Sequence, residues 1–263
     1  MAKRRPLELP ISVSKLSILV LGAVGSPKYK CAPPTGMTIT NPKIFIVIAA
    51  YNESRTIRSV ADKLLATYSD VVVVDDGSTD DTAARLTGSG ARVLRHCLNR
   101  GQGAALQTGV RYALAQGADV VVTFDADGQH DQKNIEALIR PIIDGECDVT
   151  LGSRFLGRAH NIPASRKMML KAGVLFTRIF SRVKVSDSHN GLRALSRRAA
   201  ASIQVTMDRM AHASEILDQI RQGGWTFQEI PVDIYYSEYS LAKGQSSWNA
   251  IKIGLQILLK RAL

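Results

Sequence analysis

Cysteine is scarce in this chain, with three residues in 263, at positions 31, 97 and 147. They are odd in number, widely spaced and form no C-x-x-C pair. Neither a disulfide framework nor a cysteine zinc site is indicated, and the usage points to a reducing compartment. The five histidines show no H-x-x-x-H spacing, so no zinc motif is present on that side either. No window holds the roughly 18 uninterrupted apolar residues that a membrane-crossing helix needs, so any contact with a membrane is at its surface. No G-x-G-x-x-G follows the first apolar strand, which argues against a dinucleotide cofactor. Wholesale disorder is excluded by a hydrophobic content of 45% against 22% charged residues.

What the chain does have is positive charge, +11 in all, and it is concentrated. Between Arg154 and Arg198 there are eleven Arg or Lys and one acid, Asp187. That is a local anion-binding field rather than an evenly solvated surface. By charge alone it fits nucleic acid, anionic lipid or a phosphorylated ligand.

The first 36 residues combine MAKRRP, a short apolar run at 17–25 and a patch ending CAPPTG. Residues 1–40 are expected to be a disordered leader or the product of a mis-assigned start, with Met37 as the alternative start. A secretory signal ending at AVG before Ser26 is the competing reading.

From residue 43 apolar strands alternate with helical patterns. KIFIVIAA (43–50) is the near-continuous run of a strand covered on both faces. A helix is predicted from about Ser54, with Ile57, Val60, Ala61, Leu64 and Leu65 on one face. Further strands are predicted at Val71–Val74, Arg92–Arg95, 119–124 and 148–153. Helices are predicted at 103–116, after the Gly-rich turn NRGQG, and at 131–143. The alternation predicts an α/β fold, a mostly parallel sheet with helices on both faces. Ligands of such sheets sit beyond the carboxyl ends of the strands. Three of those ends carry polar clusters here: YNES, DDGSTDD and DADGQHD.

The last cluster bears the chemistry. Asp125 and Asp127, with Gln129 two residues on, are hard oxygen donors on a turn and suit Mg²⁺ or Mn²⁺ completed by water and phosphate. An isolated D-x-D turn is more often a solvated helix cap. Bringing Asp75, Asp76, Asp125 and Asp127 into one crevice without a cation would cost like-charge repulsion, and this favours metal. His130 and Asp131 read as helix-start residues.

AAYNES, VVDDGSTDDT, NRGQGAA, FDADGQHD and LGSR, in this order and spacing, resemble the catalytic domain of family 2 glycosyltransferases with the GT-A fold. DSHNGLRALSR, AHASEIL and IPVDIYY resemble its dolichol- or polyprenyl-phosphate mannosyltransferase branch. The resemblance spans roughly residues 43–247. It implies nucleotide-sugar contacts at Ala49, Tyr51, Glu53, Val74 and Asp76, the second strand's Val74 and Asp76 meeting the base. It implies metal and diphosphate contacts at Asp125, Ala126, Asp127 and Gln129, and places Arg154 near the phosphates. Asp127 and Arg154 are the expected catalytic residues.

The basic segment 162–184 interleaves Arg166, Lys167, Lys171 and Arg178 with Met168, Leu175 and Ile179, an amphipathic pattern suited to an anionic membrane surface. A lipid phosphate explains both halves, cations for its phosphate and an apolar face for its tail. Arg154, Arg166 and Lys243 are the candidate cations. Such an acceptor is already mostly ionised at pH 7, so it needs positioning rather than a general base. Glu215 is the best candidate if a base is needed.

The chain departs from the branch at three places. Ala49 stands where proline is commoner, and Gln102 where lysine is commoner. The tail YSLAKGQSS has Lys243 but no arginine, which leaves the donor sugar open. WNAIKIGLQILLKRAL (248–263) is predicted to form an amphipathic helix. The expectation is therefore an inverting, metal-dependent hexosyltransferase acting from a nucleoside-diphosphate sugar onto a polyprenyl phosphate, peripheral on the cytoplasmic membrane face, without nucleic acid. The alternatives are transfer to a glycan hydroxyl, or a non-catalytic basic module binding anionic lipid or nucleic acid.

Overall fold

The computed structural model describes Gly36 and residues 38–180, 183–206 and 212–243. The predicted helix at 248–263 and nearly all of the leader lie outside these residues. Within the leader's last residues, the Ile39 N–H donates to the Ile143 carbonyl at 2.8 Å.

The order of elements is β1 (Ile44–Ala50), α1 (Ile57–Leu65), β2 (Asp70–Asp75), α2 (Thr82–Arg85), β3 (Arg92–Arg95), α3 (Gln102–Ala115), β4 (Val120–Asp125) and α4 (Asn134–Ile143). Then follow β5 (Val149–His160), α5 (Ala164–Phe180), β6 (Arg193–Ser196), α6 (Arg197–Ser202), α7 (His212–Gly223), β7 (Phe227–Tyr235) and α8 (Glu238–Lys243).

The continuous apolar runs of β1, β2 and β4 are explained by the two cores they separate. Alternate residues point to opposite faces of a strand. Ile46, Ile48, Val71, Val73, Val120 and Val122 join α1 and α4 in one core. Phe45, Val47, Val72, Val74 and Val121 join α3, α6 and α7 in the other. Helix α3 lies close to the sheet because Gly109 faces Val47, where any Cβ would overlap the valine side chain. Burying both faces of the central strands is the main apolar contribution to stability, roughly 1.5–3 kcal/mol per fully buried large side chain.

The described strands form one sheet in the order β3-β2-β1-β4-β6-β5-β7. β3, β2, β1 and β4 are parallel neighbours. β6 runs antiparallel to both β4 and β5, and β5 pairs parallel with β7. The mostly parallel expectation holds, but the second half of the sheet is mixed. The fifth strand was expected to end at Ser153; it continues to His160, because β7 supplies partners as far as Tyr235. Helix α4 starts at Asn134 rather than Asp131, since a turn fills the intervening residues.

Register then places the site. Ala49 of β1 stands opposite Val74 on one side and Asp125 on the other, while Ala50 faces Asp75. The carboxyl ends of the three central strands are level, and their polar loops open on the same edge.

Candidate active site

The loops after β1 and β2 are laced to each other. Asn52 adopts a left-handed conformation, φ 55°, which asparagine tolerates better than most residues. Its side-chain oxygen accepts the Thr79 N–H at 2.9 Å, and its own N–H donates to Ser78 Oγ at 2.9 Å. The Glu53 N–H reaches Thr82 Oγ1 at 2.7 Å, and the Ser54 N–H reaches Asp80 at 3.2 Å. Slight burial opposes ionisation of Asp80, but hydrogen bonds from Thr82 and Ser54 outweigh it and bring its pKa down to about 2. Tyr51 stays on the outside of this frame, 43% exposed.

Glu53 is not a plain first-turn acid. Its carboxylate accepts from Thr56 Oγ1 and Tyr239 OH, and it pairs with Lys243 at 2.9 Å. Lys243 also donates to the Asn52 carbonyl. Lys243 was expected beside an acceptor phosphate with Arg154 and Arg166. Its ammonium is engaged instead at the β1 loop, because α8 folds back over that loop.

The four aspartates expected to repel one another are largely compensated one by one. Asp75 accepts the Ser78 N–H at 3.0 Å and pairs with Arg95 at 3.1 Å. Asp76, expected at the nucleotide base, is 2% exposed and holds the Gly-rich turn. It meets His96 Nδ1 at 2.7 Å, the Arg100 N–H at 3.0 Å and the Gly101 N–H at 2.6 Å. Asp125 accepts Gln102 Nε2 at 3.0 Å on one oxygen and meets His130 Nε2 at 2.8 Å on the other. Loop 190–192 comes close to that carboxylate because residue 191 is glycine, where a Cβ would overlap both oxygens.

Asp127 is the exception. Its one hydrogen bond among the described residues is from the Gln129 N–H, at 3.0 Å. Burial, then the charge of Asp125 and that of Glu53, raise its pKa to about 6, against the lowering effect of His130 and the Gln129 N–H. Burial opposes ionisation of Asp125 as well, but the His130 hydrogen bond and charge, with His212 and Arg154, hold that carboxyl below its ordinary value. The pair thus splits into an ionised Asp125 and an Asp127 that keeps its proton to an unusually high pH.

Gln129 is anchored mainly by its backbone, whose carbonyl accepts the Tyr235 N–H at 2.9 Å, and its buried Nε2 has no partner. Ala126 is buried beneath the pair, 4% exposed. Among the described residues no three His, Cys, Asp or Glu side chains converge as a ready-made metal cage. The donor set fits a hard divalent cation nonetheless. Two carboxylates with one left unpaired, in a turn open to other oxygens, match an octahedral Mg²⁺ or Mn²⁺ site completed by water and phosphate.

On the other side of Asp125 the sheet carries buried arginines. Arg154, 8% exposed, donates through Nε to Asp187 at 2.6 Å, through Nη1 to Tyr236 OH at 2.6 Å and through Nη2 to the His189 carbonyl at 3.0 Å. Burial works against its charge, but Asp187 and Tyr236 more than compensate and raise its pKa. Arg193 is 5% exposed and donates to the carbonyls of Asn190 and Ser188, while its Nη1 has no partner. Burial lowers its pKa to about 10 despite the nearby charges of Asp125 and Asp187.

Sequence reasoning passed over His130, Gln102, Asp187, Arg193 and Tyr236. His130 was read as a helix start, but its 3%-exposed side chain lies on Asp125, and α4 begins four residues later. The available signals were weak: a glutamine where lysine is commoner, and a lone acid in a basic segment.

A level row of strand ends, a laced pair of loops and a carboxylate pair at the mouth of β4 define an α/β fold whose polar site lies beyond the carboxyl ends of its parallel strands. Comparison with known proteins then gives the family. The chain belongs to glycosyl transferase family 2, whose model matches residues 45–203. It is 32% identical to the UDP-N-acetylglucosamine–dolichyl-phosphate N-acetylglucosaminyltransferase of Methanococcus voltae, over 82% of this chain and 95% of that one. It is 32% identical to the undecaprenyl-phosphate mannosyltransferase of Micrococcus luteus, over 76% and 79% of the two chains. The solved glucosyl-3-phosphoglycerate synthase of Mycobacterium tuberculosis, in complex with Mn²⁺ and UDP-glucose, superposes with a TM-score of 0.64 at 22% identity, over 83% and 77%. The fold is GT-A, as expected, and the protein is a glycosyltransferase.

Proposed function

We propose that this glycosyltransferase moves a hexose from a nucleoside-diphosphate sugar to a polyprenyl phosphate, with inversion, at the cytoplasmic face of a membrane. The observation that carries the reading is the border at β4. There the carboxylate pair of Asp125 and Asp127, with Asp127 held by a single backbone N–H, adjoins the buried arginines Arg154 and Arg193. Relatives that act on dolichyl and undecaprenyl phosphate support the acceptor class.

Tyr51 and Glu53 of the β1 loop shape the donor side, Asp76 fixes the Gly-rich turn beside them, and Ala49, Val74 and Ala126 form the floor. Asp125 and Asp127 would hold Mg²⁺ or Mn²⁺, with Gln129 fixing the turn. When bound, the cation supplies Lewis-acid stabilisation of the diphosphate leaving group. Arg154 and Arg166 orient the acceptor oxygen for direct attack on the anomeric carbon. A phosphate needs no base to become a nucleophile at pH 7. Glu215, the best base candidate, accepts both the N–H and the hydroxyl of Thr206, which favours the phosphate over a glycan hydroxyl.

The membrane reading rests on α5. Met168, Leu175 and Ile179 are 72%, 59% and 61% exposed. Spacings of seven and four residues put them on one stripe, and Lys167, Lys171 and Arg178 are exposed beside it. No helix among the described residues is long and apolar enough to cross a membrane.

The test incubates labelled GDP-mannose, UDP-glucose or UDP-N-acetylglucosamine with Mn²⁺ and undecaprenyl or dolichyl phosphate. Label moving into the organic phase, and no movement when a chelator is present from the start, is the expected result. Label that stays water-soluble with every donor overturns the acceptor assignment.

A further inference from the structure

Arg154 is expected to meet a phosphate, yet its guanidinium is largely spent on protein. Three of its nitrogens are bound by Asp187, Tyr236 and the His189 carbonyl. Arg166, at the start of α5, lies over the ring of Tyr236 with its guanidinium carbon 5.5 Å from the ring centroid. Its Nε is buried without a partner. Tyr236 is thus shared by two cations, one on its hydroxyl and one on its face. It is itself 4% exposed and fixed by its N–H, which donates to the His160 carbonyl at 3.1 Å.

Two guanidiniums on one tyrosine, with Asp187 balancing only one of them, leave an unneutralised positive charge partly shielded from water. Such a surplus is costly unless an anion completes it. The phenol oxygen accepts from Arg154, so its proton remains free to donate, and it has no acceptor among the described residues. Two donors without acceptors, the Tyr236 hydroxyl and Arg166 Nε, therefore accompany the surplus charge. A phosphate monoester supplies both the charge and the oxygens.

We propose that Tyr236 is a positioning residue for the acceptor. It holds Arg154 by its hydroxyl and Arg166 by its ring, so that the two form one phosphate-binding unit in a chain whose tail has no arginine at the expected place. The inference rests on the phosphate-acceptor reading and assigns to Tyr236 a role that reading does not contain. Tyr236→Phe keeps the ring under Arg166 and removes the grip on Arg154; Tyr236→Leu removes both.

The experiment measures binding of a short-chain prenyl monophosphate and of the matching prenol by calorimetry, beside donor KM, acceptor KM and melting temperature. Tyr236→Phe is expected to weaken monophosphate binding roughly ten-fold and raise acceptor KM in step, with donor KM and prenol binding unchanged. Tyr236→Leu is expected to weaken it further. Arg166→Met, on the partly exposed helix, is a variant expected to fold normally. Its loss should be less than additive with that of Tyr236→Phe, as for residues acting as a unit.

Monophosphate affinity in Tyr236→Phe equal to the wild type overturns the inference. So does a parallel loss of donor, prenol and phosphate binding, which marks a merely structural residue. Should Tyr236→Phe fail to fold, an unchanged monophosphate affinity in Arg166→Met overturns it alone. A wild type that binds no monophosphate removes this inference and the acceptor reading together. A wild type that binds it, is weakened by Tyr236→Phe and yet transfers no sugar to it overturns only the proposed function.

Discussion

The two halves of the sheet handle charge in opposite ways. In the parallel half, β3-β2-β1-β4, the acids are met by backbone N–H groups and side chains of neighbouring loops, and Asp127 keeps a single backbone N–H partner among the described residues. In the mixed half, β6-β5-β7, two arginines are buried, Arg154 held by partners far away in sequence and Arg193 by carbonyls of its own loop. On the proposed reading the first half receives a cation with a diphosphate, the second a bare anion. β4 is the border, and Asp125 feels both sides, since Gln102 and His130 hold it from the first and Arg154 and Arg193 act on it electrostatically from the second.

The sharpest way to break this contrast is Asp127→Asn. Removing a cation ligand is expected to lower turnover by on the order of 10³, as several kcal/mol of leaving-group stabilisation are lost. The same change should stabilise the metal-free protein. The unfolded chain releases this proton near 3.8, whereas the folded one holds it to about 6. The folded state therefore binds the extra proton between those values, and its stability falls as pH rises through that window and stays low above it. Two units correspond to roughly 3 kcal/mol. Melting curves without metal should show Asp127→Asn above the wild type at pH 7.5 and level with it near pH 4. Equal curves at both values would mean that the charge of Asp127 is already met by protein groups.

Gly191→Ala strikes the border itself. The new methyl displaces the Asp125 carboxylate, and a shift of about 1 Å at a reacting site costs on the order of 10² in turnover. Overpacking adds a destabilisation of about 1–3 kcal/mol. Steady-state kinetics on folded protein should show the fall in kcat for every acceptor. An unchanged kcat would mean that Asp125 can move without consequence and is not a ligand.

How much of this was legible in the sequence follows the same division. The parallel half was readable because its signals are local: continuous apolar strands, then a polar cluster within a few residues. Ala49, Val74 and Asp125 fall in one row because strand ends and loop starts are fixed by short-range pattern. The mixed half was not readable in this way. β6 is four residues long, RALS, too short for a period to show. Arg154 finds Asp187 33 positions away and Tyr236 82 positions away, pairings that no spacing rule encodes. The basic segment was recognised from composition, yet which arginines are buried and which exposed depends on the β5–β7 pairing. Asp76 shows the limit even within the readable half, since its motif was plain and its partner His96 was not.

Helix α5 tests whether the mixed half also owns the membrane. Changing Met168, Leu175 and Ile179 together to Ser removes three exposed apolar side chains that touch neither carboxylate. Partial insertion of such side chains contributes about 1 kcal/mol each. Sedimentation with vesicles rich in anionic lipid should show partitioning reduced by about ten- to a hundred-fold. Turnover with a water-soluble short-chain prenyl phosphate should stay near the wild type. Undiminished sedimentation would place membrane contact elsewhere on the chain.

The smallest effect belongs to Lys243, and it asks whether the donor loop is shaped by its own half alone. The ammonium, about one-third exposed, pairs with Glu53, and Tyr239 from the same helix reaches the same carboxylate. Ion pairs this accessible contribute about 0.2–1 kcal/mol, so Lys243→Met should leave the melting temperature nearly unchanged. Glu53, no longer tied to α8, becomes freer to meet the donor, and the loop loses one anchor at the Asn52 carbonyl. These act in opposite directions on donor affinity, and a shift in donor KM of no more than about three-fold is expected, with acceptor KM untouched. A rise in acceptor KM instead would return Lys243 to the acceptor phosphate, and would mean that α8 leaves the β1 loop when substrate binds.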